Sequence, residues 1–429
     1  MNRHTGRMNR HLGRVLAAAT AALVLVTAGC GGGDEPAVGD DGREILTIAL
    51  WNYDSTPEFA ALIDGFEAAH PDIDVQPVDI LADDYAEKVT TMLAGGDQTD
   101  VLTMKNVTDY SRYALRGQLA SVADEAADLD QSKYLSLEPF NLDGDYFALP
   151  YRQDFWVLYH NKALLADTGA DLTSLTWAEY ADLAKQLTTG SGQDTVYGTY
   201  HHTWRSIIHS TAAAQSGGDL IGGEYGFLKD RYEMVLDLQD AGATMPWATA
   251  STQKVQYHTM FSTGQAAMLP MGTWYAARLI EEKKAGSIDV DWGIAPLPQV
   301  TEGGPVTTFG SPTAFAVNNK ARNSDAARAF VAWAAGPDGA AAIASIGVYP
   351  AYSDETITET YFGVDGMTND EVAQAAFQPD EVVLEMPVSE KSSDVDVILT
   401  EEHELIMIGE RAVDDGIAEM GKRVTSEVD

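Results

Sequence analysis

The sequence predicts an α/β protein built as two lobes. Short apolar runs of buried-strand type alternate with segments of helical period, the pattern of a sheet covered on both faces. At 429 residues the chain exceeds the size at which one hydrophobic core keeps growing. A single cysteine excludes an internal disulfide framework and any Cys-based metal site, so packing must supply the stability.

The chain opens with Arg3, Arg7, Arg10 and Arg14, followed by an apolar run from Val15 to Val26 and then Thr27, Ala28, Gly29 and Cys30. That run falls short of the roughly 20 apolar residues that span a bilayer. A basic start, a short apolar middle and small residues before a break read as a secretory signal over 1–29. Ala28-Gly29-Cys30 resembles the lipobox of bacterial lipoproteins, although Thr27 stands where an aliphatic residue is usual. The resemblance implies that Cys30 becomes a lipidated N-terminus, with 30–44 as a flexible Gly- and Asp-rich tether. The alternative is a plain secretory signal that happens to contain a cysteine.

Leu46–Trp51 is expected as a buried strand, closed by Asn52, Tyr53 and Asp54. A helix over 57–70 follows, with Phe59, Leu62, Ile63 and Phe66 at helical spacing. Then come a strand over 72–80, a helix from Tyr85 to Leu93 stopped by Gly95 and Gly96, and a strand over 100–104. Further on, 155–159 reads as a strand and 177–187 as a helix capped by Thr176. Helices are expected over 204–215 and 229–240, and strands over 266–271, 290–294 and 314–317. A helix over 324–335 ends at Gly336-Pro337, and one last helix runs over about 401–420.

The formal charge is −38, and the basic signal only masks a still more acidic body. Such a surface repels nucleic acid and anionic lipid at long range and favours a neutral or cationic ligand.

Several short motifs occur in a recognisable order. They include Met92-Leu93-Ala94-Gly95-Gly96-Asp97, Leu158-Tyr159-His160-Asn161-Lys162, Leu175-Thr176-Trp177-Ala178-Glu179, Gly264-Gln265-Ala266-Ala267-Met268, Met271-Gly272-Thr273-Trp274 and Pro296-Leu297-Pro298. Over nearly the whole chain after Cys30 this order resembles the extracellular solute-binding proteins of bacterial ABC sugar importers, the maltose-binding-protein-like family 1. His160 departs from it, since Tyr is more usual there. The resemblance implies a two-lobed periplasmic-binding-protein-like fold with a hinge crossed near 153–157, 296–306 and 348–353. Lobe 1 would comprise 45–153 and 307–350, and lobe 2 would comprise 154–306 and 351–429. Ligand would bind between them, at the carboxyl ends of strands.

A sugar needs aromatic planes for its C–H faces and planar or charged partners for its hydroxyls. The resemblance places Trp274 in a stacking position, with Tyr275 beside it and Gly272 allowing close approach. It also places Trp204 in the cleft, with His201 at its rim. Asp154 matches a hinge carboxylate that accepts from sugar hydroxyls, with Arg152 beside it as a further ligand contact; the other reading is an ion pair between the two. Trp51, Asn52, Tyr53 and Asp54 should face the cleft, as should Lys105, Asn106, Gly310 and Ser311. Trp177, Trp292 and Trp333 read as packing residues. His201, His202 and His209 lack a metal-ligand spacing, and neither metal nor cofactor is expected.

The function implied is capture of a sugar, an oligosaccharide foremost, for delivery to the permease subunits of an ABC transporter. The protein would be a monomer on the outer face of the cell membrane, touching lipid only through its anchor. A polyol is the alternative ligand. No nucleophile elbow, zinc-protease motif or phosphate loop is present, so an enzyme is not expected, although a secreted glycoside-cleaving enzyme stays open on residue type alone. A sensor subunit that reports ligand to a membrane receptor is a third class.

Intact mass of protein extracted from membranes should show Cys30 as the first residue, carrying acyl chains. A start downstream of Cys30, or an unmodified thiol, rejects the anchor.

Overall fold

A computed structural model describes residues 37–82 and 84–428. The signal, Cys30 and the first part of the tether lie outside the described residues. Among those described, no helix is long and apolar enough to cross a membrane.

One nine-stranded mixed sheet runs through the molecule. In chain order its strands are β1 (Glu44–Trp51), β2 (Ile73–Ile80), β3 (Val101–Met104), β4 (Leu149–Asn161), β5 (Tyr197–Thr199), β6 (Ala266–Gly272), β7 (Trp292–Ala295), β8 (Thr307–Val317) and β9 (Glu381–Leu384). The main path is β2-β1-β3-β8-β4-β6-β5, with β9 added to β8 and β7 to β4. β1 lies parallel to β2 and β3, and the helices Pro57–Ala69 and Tyr85–Gly95 provide the crossovers. Gly96 ends the second of these at φ 76°, where Asp97 N donates to the Met92 carbonyl over 3.0 Å.

The buried side chains form two clusters. One gathers Leu46 to Tyr151, Ala277 and most of Ala314 to Val348; the other gathers the rest of Phe155 to Phe309, Ala340, Ala344 and the buried apolar residues from Ile357 on. Their meeting point is built by β4 and β8. β4 has 13 residues, all buried, and reaches about 43 Å at 3.3 Å per residue. Leu149–Phe155 pairs with β8, and Trp156–His160 pairs with β6. The strand therefore belongs to both cores. A third extended segment lies alongside: Gln153 N donates to the Tyr349 carbonyl over 3.1 Å, and Ala351 N to the Tyr151 carbonyl over 3.0 Å.

Proline punctuates this junction. Pro150, Pro312 and Pro350 each remove a ladder donor, and the register shifts between Thr313 and Ala314. The strands still approach closely, since a Cβ on Gly310 would lie 2.0 Å from the Asp154 carbonyl oxygen.

The expected helix over 177–187 forms with a full capping box: Glu179 N donates to Thr176 Oγ1 over 3.2 Å and Thr176 N to Glu179 Oε2 over 2.9 Å. Trp177, Trp292 and Trp333 all pack, Trp177 beneath the Arg231 guanidinium at 3.7 Å. Several expectations shift. The segment from Trp204 opens with a single 3₁₀ turn, Arg205–Ile207, before the helix His209–Ser216. The second passage between cores occurs inside β8, between Phe309 and Ala314, rather than over 296–306. The last helix divides into Ser392–Met407 and Val413–Glu427. Gly409 at φ 77° stops the first, and Gly416 then packs where a Cβ would stand 2.5 Å from Ile406.

Gly310→Ala should cost about 1–3 kcal/mol, because the added methyl meets backbone rather than a flexible side chain. Urea unfolding should show a lower midpoint. An unchanged midpoint would show that β8 and β4 do not approach as described.

Candidate functional site

The second core carries an aromatic wall close to the junction of the two cores. Trp156 is its centre: the ring stacks on Phe309 at 4.9 Å and meets Trp204 at 6.4 Å and Trp274 at 6.1 Å, both edge-on. Trp204 and Trp274 lie 6.3 Å apart. His202 and Tyr257 pack against Trp204 at 4.5 and 5.9 Å. Trp204 is 42% exposed, an unusual share for so large an apolar group, and Trp274 is partly exposed. Trp274 stands where β6 gives way to the helix Tyr275–Lys284, and its indole lies directly on Gly272. A Cβ at 272 would be 1.7 Å from the ring, so glycine alone fits.

The hinge beside this wall is ionic. Arg152 bonds Glu58 of the first core through Nη1 and Thr313 Oγ1 through Nη2 at 3.1 Å, and its Nε forms an ion pair with Asp154 Oδ2 at 2.6 Å without hydrogen-bond geometry. Asp154 also accepts from Thr273 Oγ1 at 3.1 Å. All three charged groups are buried. Burial raises the Asp154 carboxyl to about 6, because the opposing pull of Arg152 is shared with Glu58, whose own charge also raises it. Both Asp154 oxygens are thus engaged, and the residue occupies the ion-pair position rather than an open ligand-facing one. Arg152 is held in the same network.

The first core contributes the expected residues that follow β1 and β3. Trp51 is buried edge-on against Phe59 and Tyr85 at 5.0 and 5.2 Å, and Lys105 Nζ sits 5.4 Å from its ring centre. Lys105 Nζ also donates to the Ala82 carbonyl at 3.0 Å. Asn52 adopts a left-handed turn at φ 45° and its Oδ1 accepts from Ala82 N. Tyr53 is partly exposed, with its backbone N bonded to Asp79, and Asp54 is exposed. Asn106 caps the helix Val107–Leu115, accepting from Asp109 N at 3.0 Å.

Asn106 also lines a cavity of about 110 Å³ between the lobes, with Thr108, Arg205, Ser311, Glu385, Met386 and Asp396 among its walls. Arg205 Nε donates to Asp396 Oδ1 at 2.7 Å, and Nη2 bonds the same oxygen. Burial raises the Glu385 carboxyl, against the pull of Arg205 and a bond from Ser206. Gly310 stays at the strand contact, whereas Ser311 opens onto the cavity.

Two expected site residues fall elsewhere. His201 lies inside the second lobe, its Nε2 2.9 Å from the Tyr180 hydroxyl, and burial lowers its pKa to about 3. It is an interior residue rather than a rim contact. Tyr275 is 1% exposed among Tyr159, Tyr257 and Phe261, with its hydroxyl 3.1 Å from His258 Nδ1, because the first helical turn points it back into the core. Trp156, Tyr257, Glu385 and Asp396 were not anticipated. Trp156 had an available signal, the second aromatic after Asp154 in a strand leaving the hinge. His209 bonds Tyr232 at 2.6 Å in the interior, and among the described residues no cluster of three His, Cys, Asp or Glu is arranged to hold a metal ion.

The family described as bacterial extracellular solute-binding protein matches residues 53–341. A mannitol-binding protein of Pseudomonas aeruginosa is 25% identical over 344 residues, covering 76% of this chain and 74% of that protein. An arabinooligosaccharide-binding protein of Halalkalibacterium halodurans is 25% identical over 212 residues, 46% of this chain and 45% of that one. Among solved structures, a sugar transporter from Rhizobium etli in an open conformation is 33% identical with a TM-score of 0.75, over 89% of this chain and 99% of that one. An ABC substrate-binding protein from Listeria monocytogenes in complex with cycloalternan shares the fold at a TM-score of 0.77 and 21% identity, over 89% and 98%.

The Asp154 carboxyl should leave a signature in stability against pH. Its folded value of about 6 lies above its ordinary 3.8, so the folded state binds the proton more tightly. The resulting stabilisation is present below the ordinary value and is lost as pH rises through about 6. Denaturation of the parent and Asp154→Asn across that range should therefore show the difference moving in favour of the variant as pH rises. A pH-independent difference rejects the assignment.

Proposed function

This chain belongs to the bacterial extracellular solute-binding proteins, and from that premise we propose that it captures a neutral carbohydrate between its lobes and delivers it to the permease of an ABC importer. The observation that carries the reading is the aromatic wall of Trp156, Trp204 and Trp274 beside a charged cavity at the junction of the two cores. Exposed indole faces suit the C–H surface of a sugar, and the adjoining carboxylates and guanidinium suit its hydroxyls. An oligosaccharide fits a wall of two exposed rings. A polyol is the second reading, favoured by the similarity to a mannitol-binding protein over three quarters of both chains.

Mechanism follows from the hinge. β4 and β8 join the lobes through a junction weakened by prolines and a register shift, so the lobes rotate about it. A ligand held by both lobes favours the form in which they meet, and shifts the population by its difference in affinity for the two forms. The permease reads that form. The protein works as a monomer, tethered through Cys30. It binds rather than cleaves: Glu58 and Asp154 are both occupied by Arg152 and so are poor candidates for an acid–base pair.

A thermal-shift panel of mannitol, arabinotriose and maltotriose tests the reading, with a reducing-sugar assay to detect cleavage. A probe at about 1,000 times its Kd should add about 4.1 kcal/mol. With the best probe, Trp274→Ala should raise Kd roughly thirtyfold, since a stacked aromatic is a typical binding hot spot worth about 2 kcal/mol. Parent-like affinity in a folded Trp274→Ala protein would show that the indole only packs.

A further inference from the structure

We infer that Arg205 is the principal hydrogen-bond donor to the ligand, at a polar pole that takes two adjacent hydroxyls of a neutral polyhydroxy compound and rejects the corresponding carboxylate. The inference rests on the carbohydrate reading above and specifies its chemistry.

Arg205 is 9% exposed and lines the cavity between the lobes. Its Nε and Nη2 are spent on Asp396, and Nη2 also lies 3.6 Å from Met386 Sδ. Its Nη1 is buried without a protein partner. Ser311 Oγ, supplied by the hinge strand β8 on the same cavity, is in the same condition. An unpaired buried donor is costly, and a guanidinium N–H costs more than a neutral one. Two such groups on one cavity are a built demand for an acceptor.

The acceptors of the pole are carboxylates. Glu385 and Asp396 line the cavity with Arg205, and Asp154 lies near enough to act electrostatically on Glu385. One guanidinium thus faces more than one negative charge. A hydroxyl both donates and accepts, so a pair of adjacent hydroxyls can take Arg205 Nη1 and Ser311 Oγ while giving protons to the carboxylates. A ligand carboxylate can only accept, and it would meet like charges in a nearly dry site.

The pole is also rigid. Glu385 N donates to the Gly310 carbonyl at 2.8 Å, and Ser210 Oγ donates to the Glu385 carbonyl at 2.9 Å. Arg205 opens the 3₁₀ turn Arg205–Ile207, which fixes its backbone ahead of the helix His209–Ser216. Backbone bonds and one helical turn fix the geometry before ligand arrives, which limits the ordering cost of binding.

Calorimetry on the parent, Arg205→Lys and Ser311→Ala tests this, with arabinotriose, D-mannitol and D-mannonate as probes. Mannonate differs from mannitol by a terminal carboxylate in place of a hydroxymethyl group. Arg205→Lys keeps the charge for Asp396 but loses the fork. It should weaken the neutral probes roughly ten- to a hundredfold, the range for a lost charge-assisted hydrogen bond. Ser311→Ala should weaken them roughly fivefold, and mannonate should bind the parent at least about tenfold more weakly than mannitol. Far-ultraviolet melting checks each fold. Should Arg205→Lys not fold, Ser311→Ala and the mannitol–mannonate pair decide. Neutral probes that bind both variants like the parent, or mannonate that binds as well as mannitol, overturn the assignment and leave the carbohydrate reading standing. Failure of every neutral probe to bind the parent overturns both.

Discussion

The antiparallel pairing of β4 with β8 is the constraint on which the rest of this structure depends. Neither strand can be assigned to one core, since each begins packed in one and ends packed in the other. That continuity places Trp156 at the head of the aromatic wall, Ser311 on the cavity and Asp154 in the ionic hinge, all within a few residues of the Gly310–Asp154 contact. A covalently continuous sheet would ordinarily be stiff. Prolines at 150, 312 and 350 and the shift at Thr313/Ala314 remove ladder bonds where the two cores meet.

A buried ion network replaces the missing ladder bonds. Glu58 comes from the first core, Thr273 from the second, and Arg152 and Asp154 from the strand between them. Burying two carboxylates with one guanidinium is weak evidence for stability, because desolvation offsets much of the attraction. Its value here is geometric: the groups have to stay paired, which restricts how far the strand can move without leaving a charge alone.

Much of the fold was legible because it rests on local chemistry. β1, the capped helix 177–187 and the helix 324–335 follow from apolar period, Thr176 and Gly336. β4 was read at less than half its length. Arg152, Gln153 and Asp154 look like loop residues in sequence, and they are buried only because they pair with one another and with Glu58, nearly a hundred positions earlier. The site divides in the same way. Trp204 and Trp274 come together 6.3 Å apart, and Gly272 explains itself once the indole is seen to lie on it. His201 and Tyr275 adjoin those aromatics in sequence, but neighbours along a chain point in different directions, and both lie in the interior. Arg205, Glu385 and Asp396 come from segments some 180 residues apart, and no local pattern links them.

The contacts away from the hinge bear on how the lobes stay together. There Ser111 Oγ donates to the Ser389 carbonyl at 3.3 Å, and Arg112 Nη1 to Ser393 Oγ at 3.4 Å. Each is long, and a typical intramolecular hydrogen bond contributes only about 0.5–1.5 kcal/mol net. Asp109 and Asp396 meanwhile repel across the same gap. These two bonds by themselves contribute little to holding the lobes together. Under the carbohydrate reading a ligand in the cleft would add to them by meeting Arg205 Nη1 and Ser311 Oγ, two buried groups without a protein partner. On the function proposed above, a ligand held by both lobes would shift the population toward the form in which they meet.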